Sequence, residues 1–248
     1  MRFAKRSSPS RVSGVGLPAV HRAVARYPRS VDRALIQNER LLMIDTCGET
    51  SGIALTCGEQ VLAAEDLPRG SASAEIIDAI RRLLQTQPGW QLRNLDAIGV
   101  VHGPGSFTGI RTGLATAKGL CEAAGLPMAA VSRLEVLANA VGLADGFAAL
   151  DAGRAEVYVR EIGTGREWLC STGGLLLQCH GKQIALAESR LVDQLEGCET
   201  ILRTLHASDS RGPVLRKLRL GGSDVALTDA NYVRQEADIY RKPAGAVG

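Results

Sequence analysis

Gly109, Gly113 and Ala117 recur every four residues in a stretch that otherwise reads as helix, residues 108–124, so nearly bare backbone positions stack along one helical face with Gly119 close by. An interior glycine costs a helix about 1 kcal/mol relative to alanine, so a chain that keeps this ridge implies another backbone lying very near it. That backbone belongs either to the chain's own sheet or to another protein, and the residues alone leave both open. The helix is entered from residues 95–101, an apolar run of strand length rich in Val and Ile, through His102-Gly103-Pro104-Gly105-Ser106. A glycine turn between strand and helix presents N–H groups where an anion can bind. Equally, Gly103 and Gly105 permit a tight turn while Ser106 or Thr108 caps the helix. Neither a Walker lysine nor dinucleotide spacing is present.

A chain of 248 residues with 45% hydrophobic content can bury one large core or two small ones. No apolar run reaches the roughly 18 residues that span a bilayer, so a soluble protein without membrane contact is expected. The six cysteines, Cys47, Cys57, Cys121, Cys170, Cys179 and Cys198, form no C-x-x-C pair, and His21, His102, His180 and His206 show no ligand spacing. The expectation is reduced thiols in a cytoplasmic protein, no metal and no cofactor. Charge is uneven. Residues 1–40 hold nine Lys or Arg against Asp32 and Glu39, a net +7, which leaves −4 on the rest. This leader also carries Ser-Ser-Pro-Ser and reads as a basic, disordered extension. An RNA-binding arm, a targeting peptide and an upstream start are the readings open for it.

The ordered body begins at residues 41–45, an apolar strand ending on Asp45, and continues through residues 51–57, a Gly58-Glu59 turn and residues 60–65. Three strands joined by short turns make an antiparallel meander. Ser71 or Ser73 then caps a helix with Glu75 in its first turn and an apolar stripe of Ile76, Ile77, Ile80, Leu83 and Leu84. The strand at 95–101, the small-residue helix, a strand at 127–131 and a helix at 133–141 follow. The order βββ-α-β-α-β-α is that of the ribonuclease H-like half-domain used by actin and sugar kinases, where a carboxylate ends the first strand, as Asp45 does here; this bears on fold and not on activity. Strands at 146–151, 155–162 and 167–170 repeat the meander in abbreviated form. Residues 175–180 read as a further strand and 191–205 as helix. The expected architecture is α/β with two lobes of the actin-like ATPase (ASKHA) fold: extension 1–40, N-terminal lobe 41–142, and a smaller, less regular C-terminal lobe 143–248 with a polar tail.

Ile44-Asp45-Thr46, Gly103-Pro-Gly-Ser-Phe-Thr-Gly-Ile-Arg111 with Gly113-Leu-Ala-Thr-Ala-Lys-Gly119, Asp151-Ala-Gly-Arg-Ala-Glu-Val-Tyr158 and the late Tyr232-Val-Arg-x-x-Ala-Asp-Ile together resemble the TsaB family. The resemblance covers residues 41–163 and, beyond them, the last motif. It implies a non-catalytic subunit in the synthesis of threonylcarbamoyladenosine at position 37 of tRNAs reading A-starting codons. The implied partners are a TsaD-type transferase in a heterodimer, a TsaE-type ATPase, and tRNA reached through the complex; for the chain alone, a homodimer and a monomer are both open.

These residues offer little to a catalyst. The stretch corresponding to the His-x-x-x-His metal motif of TsaD-like chains, residues 69–80, holds no histidine, and Ser73-Ala-Glu75 stands where many TsaB-like chains read His-Ser-Glu. His102 reads as a strand-end residue. Ser106 lies outside the Gly-x-Ser-x-Gly elbow of serine hydrolases. A metal- or serine-dependent peptidase, the older glycoprotease label, and tRNA binding through the basic arm are the competing readings. The expected partner interface is the pair of helix faces bearing Ser73, Ile76, Ile77, Ile80, Gly109, Thr112, Gly113, Thr116 and Ala117, packing on the same two helices of a homologue. Asp45, Thr46, Gly103, Gly105 and Ser106 are expected to mark a vestigial nucleotide site.

Overall fold

The computed structural model describes residues 38–68, 70–179 and 181–233. The basic extension up to residue 37, Arg69, His180 and the tail motif from residue 234 onward lie outside the described residues.

The first lobe is built on strands β1 (Arg40–Asp45), β2 (Ser51–Cys57), β3 (Gln60–Leu67), β4 (Ala97–Val101) and β5 (Met128–Val131). Their order across the sheet is β3-β2-β1-β4-β5, antiparallel from β3 to β1 and parallel from β1 to β5. Helix α1 (Ala72–Gln85) leads from β3 to β4 and α2 (Phe107–Ala124) from β4 to β5, and α3 (Arg133–Val141) follows β5. Parallel neighbours require a crossover, and burial of both sheet faces explains why β4 and β5 are apolar throughout.

The second lobe repeats this plan more closely than the sequence suggests. Strands β6 (Phe147–Gly153), β7 (Glu156–Glu161), β8 (Glu167–Ser171), β9 (Ile184–Leu186) and β10 (Thr200–Leu202) lie in the order β8-β7-β6-β9-β10, with the same antiparallel and parallel pairings as the first sheet. The lobe is abbreviated in element length: β9 and β10 have three residues each, and helices α4 (Thr172–Cys179) and α5 (Arg190–Gln194) have eight and five. Residues 175–180, expected as a strand, lie mainly in α4, where Leu175 and Cys179 point into the core. An apolar run this short carries no decisive period, and the two glycines before it do not announce a helix. The helix expected over 191–205 is divided between α5 and β10.

After β10 the chain returns to the first lobe. A 3-10 turn at Ala207–Ser210 and helix α6 (Arg211–Arg219) bury Val214, Leu215 and Leu218 in the cluster that holds Leu41, Met43, Val101 and Ala129. The C-terminal portion therefore does not all belong to the second lobe. The opposite face of the first sheet is covered by α1 and α2 through Ile76, Ala79, Ile80, Leu83, Leu114 and Ala117. Helix α3 lies between the sheets, with Leu134 and Leu137 in one cluster with Ala148, Leu150 and Ala185. The outer face of the second sheet is closed by Leu175, Cys179, Leu191 and Leu195.

Candidate functional site

The ends of β1 and β6 and the start of α2 converge between the lobes. Asp45, the last residue of β1, is buried and accepts the Cys47 N–H at 2.9 Å through Oδ1. Burial pushes its carboxyl above the ordinary 3.8, against the pull of the Arg133 guanidinium. The Cys47 thiol is held well above its usual range by burial and by the Asp45 charge.

The glycines of the turn and ridge have their reason here. A Cβ on Gly105 would stand 2.3 Å from the Cys47 carbonyl oxygen, one on Gly109 1.9 Å from the Thr46 carbonyl oxygen, and one on Gly113 2.4 Å from Thr46 Oγ1. Thr46 Oγ1 also donates to the Gly109 carbonyl at 2.6 Å, and the Ser106 N–H donates to the Cys47 carbonyl at 2.8 Å. The backbone that needs these glycines is thus the chain's own, at the exit of β1. Gly109, Gly113 and the buried Ala117 do not form an outward ridge, and Ile76 and Ile80 are likewise buried in the first lobe. These five expected interface residues face inward. Ser73 and Ile77 are exposed, Ile77 by 47%, and Thr112 and Thr116 are half-buried. Gly119 differs from its companions: a Cβ there meets nothing within 4 Å.

The anion cradle considered for the glycine turn is closed at Ser106, whose N–H is spent on Cys47. Its hydroxyl caps α2, accepting the Gly109 N–H at 3.2 Å. Ser71 sits at the N-cap position of α1, but its hydroxyl donates to the Pro68 carbonyl at 2.9 Å and accepts nothing from the helix. His102 is a strand-end residue. Its Nδ1 lies 3.0 Å from the Asp229 carbonyl, its carbonyl accepts the Asn231 N–H, and burial holds its imidazole below the usual range.

Four residues that the sequence does not single out as site residues fill the space between the lobes. Arg133, the first residue of α3, is buried and donates through Nη1 to Glu188 Oε1 at 3.0 Å, across to the second lobe. Gly48 makes room for it, since a Cβ there would lie 2.6 Å from Arg133 Nη2. Glu188 accepts the Asp151 N–H with its other oxygen at 3.1 Å. Asp151, near the end of β6 as Asp45 ends β1, is ion-paired with Arg190, which also approaches Glu49 at 3.8 Å. The cleft of about 380 Å³ is lined by these groups and by Thr46, Ser106 and Thr112. The missed signal is positional: Asp151 occupies the place in the repeated meander that Asp45 holds in the first. Arg133 and Glu188 carry no local pattern, since only the packing of α3 between the sheets brings them together.

Two ribonuclease H-like sheets of identical strand order, each with a carboxylate near the end of its first strand and a cleft between, define a two-lobed actin-like ATPase (ASKHA) fold. A family model described as TsaD, tRNA N6-adenosine threonylcarbamoyltransferase, matches residues 70–173. The chain is 30% identical over 212 residues to the tRNA threonylcarbamoyladenosine biosynthesis protein TsaB of Haemophilus influenzae, covering 82% of this chain and 87% of that one. It is 36% identical over 126 residues to TsaB of Escherichia coli, 49% and 54% of the two chains. The solved structure of YeaZ from Pseudomonas aeruginosa superimposes with a TM-score of 0.65 at 24% identity, over 78% of this chain and 99% of that one, a likeness of fold. The chain belongs to the TsaB family of tRNA threonylcarbamoyladenosine biosynthesis proteins.

Proposed function

We propose that this chain is a non-catalytic, activating subunit that pairs with a TsaD-type transferase and so supports threonylcarbamoylation of adenosine 37 in tRNAs reading A-starting codons. The observation that carries the reading is the outer face of the α1–α2 pair. Once Gly109 and Gly113 are accounted for by Thr46, Gly119 is the glycine of α2 with open space above it, and it lies on an outward surface with Ala115. Ile77 of α1 is a large apolar side chain left nearly half exposed. A helix that spends about 1 kcal/mol on a glycine with no internal neighbour is consistent with a neighbour supplied from outside. The TsaD family model matches a stretch that includes both helices, so a TsaD-type partner offers a similar pair for a four-helix contact. The interface in this reading comprises Ser73, Ile77, Thr112 and Thr116 of the expected set, with Gly119 added.

The cleft supports the absence of intrinsic chemistry. In this reading, the carboxylates that would face a nucleotide's metal and phosphates are engaged by Arg133 and Arg190. Ser106 is a helix cap, and among the described residues no group of three or more His, Cys, Asp or Glu is placed to hold a metal ion. A TsaE-type ATPase and tRNA join through the complex.

Reconstitution tests the whole reading. The chain alone should neither hydrolyse ATP nor modify tRNA, and adding it to a TsaD-type transferase and its other components should restore modification at position 37. Equal modification without the chain would sink it. Ile77→Asp should weaken association with the transferase at least tenfold while the melting temperature of the isolated chain stays unchanged.

A further inference from the structure

Two of the six cysteines meet. Cys179, the last residue of α4, and Cys198, in the turn leading to β10, are 19 positions apart in the chain, with β9 and α5 between them, and bring their Sγ atoms to 2.6 Å. The remaining sulfurs have other neighbours: Cys47 Sγ faces the Val101 carbonyl at 3.1 Å, Cys57 Sγ the Asn38 carbonyl at 3.5 Å and Cys121 Sγ the Pro127 carbonyl at 3.7 Å, and Cys170 interacts with Trp168. Cys179 is buried against the second-lobe core and Cys198 is partly exposed, so one thiol of the pair is open to a reagent and the other stands behind it.

We propose that Cys179 and Cys198 form a redox-modification site that closes to an intramolecular disulfide on reaction with a low-molecular-weight disulfide, pinning the end of α4 to the turn before the edge strand β10. The two sulfurs stand inside their van der Waals contact distance, and closure asks for less than an ångström of further approach between residues that flank the packed Leu175 and Leu195. The exchange balances in two steps. The Cys198 thiolate attacks one sulfur of the reagent, the reagent's S–S bond breaks, and one small thiolate leaves with Cys198 in a mixed disulfide. The Cys179 thiolate then attacks the Cys198 sulfur and expels the second small thiolate. Each cysteine gives up one proton to a departing thiolate. Two cysteine thiols are oxidised and one reagent disulfide is reduced to two thiols. Burial and the neighbouring thiol push Cys198 up to about 11, so a molar excess of reagent and long incubation are needed at neutral pH.

The test treats the reduced full-length chain with excess oxidised glutathione, then maps peptides without reduction. The expected product joins residues 167–182 to residues 191–203, two hydrogens lighter than their sum, with fragment ions placing the bond on Cys179 and not on Cys170. Dithiothreitol should reverse it. Cys179→Ser should instead accumulate glutathione on Cys198, because the resolving thiol is gone, and hydrogen exchange over residues 180–200 should slow in the bridged wild-type chain but not in this variant. Glutathione retained on Cys198 of the wild-type chain, a bond to Cys170, or no change of mass under conditions that modify Cys198 in Cys179→Ser would overturn the proposal.

Discussion

At the scale of single residues, Thr46 is the point on which the family's glycine motif converges. Its carbonyl and hydroxyl occupy the space that a methyl group on Gly109 or Gly113 would need, so α2 is docked by its backbone onto the end of β1. Gly109→Ala forces that contact apart and should cost about 1–3 kcal/mol, the range for overpacking a fitted site. Gly119→Ala meets open space in a helix and should stabilise by about 0.5–1 kcal/mol through helix propensity. Urea denaturation of the two variants checks both signs. Four-residue spacing made the close approach legible in the sequence, but spacing is indifferent to whose backbone approaches, and only the position of Thr46 decides it. Asp45 adds a pH effect. Its carboxyl is raised above 3.8 by burial, so its protonated form favours the fold: that contribution is full below the unfolded value and is lost as pH rises through the raised one. The ionised group therefore costs stability at neutral pH. Asp45→Asn should be more stable than the parent at pH 7, and the difference should narrow as pH falls toward 4, measured as urea midpoints across that range.

At the scale of elements, the first lobe was legible because each of its parts has its own signal. Apolar strands end on polar turns, Ser132 accepts the Leu134 N–H at 3.2 Å, and Gly125 and Gly142 take left-handed conformations at the ends of α2 and α3. The second lobe was legible only to the end of its meander. Its later strands have three residues each, too short for alternation to appear, and α4 begins on Thr172-Gly173-Gly174, a poor helix start by propensity. The β6–β7 hairpin shows the meander under local strain. Its two-residue turn places Arg154 and Ala155 at φ of 59° and 57°, a conformation that such turns require and that Gly or Asn adopts more readily. Ala155→Gly should raise stability by about 1 kcal/mol, read from the denaturation midpoint at unchanged slope.

At the scale of the whole molecule, the two lobes share a core: α3 packs on both sheets, and the chain's late return through α6 closes the first sheet from the same side. Ion pairing across the cleft joins what α3 brings together. Arg133 stands between Asp45 of the first lobe and Glu188 of the second, and its loss strands both carboxylates out of water. Removing one partner of a buried pair costs about 3–5 kcal/mol, much of it the burial of the charge left behind. Arg133→Met should fall in that range. Glu188→Met should cost less, because the guanidinium it leaves still faces Asp45. The double variant Arg133→Met with Glu188→Met retains one stranded carboxyl in place of two, so it should be more stable than Arg133→Met alone, an ordering that urea denaturation of the four proteins reads directly. If the cleft pair were a solvated surface bridge, the single variants would each change stability by less than about 1 kcal/mol and the double would be their sum. Coupling between the two sites is therefore the measure of how firmly the lobes are joined across the cleft.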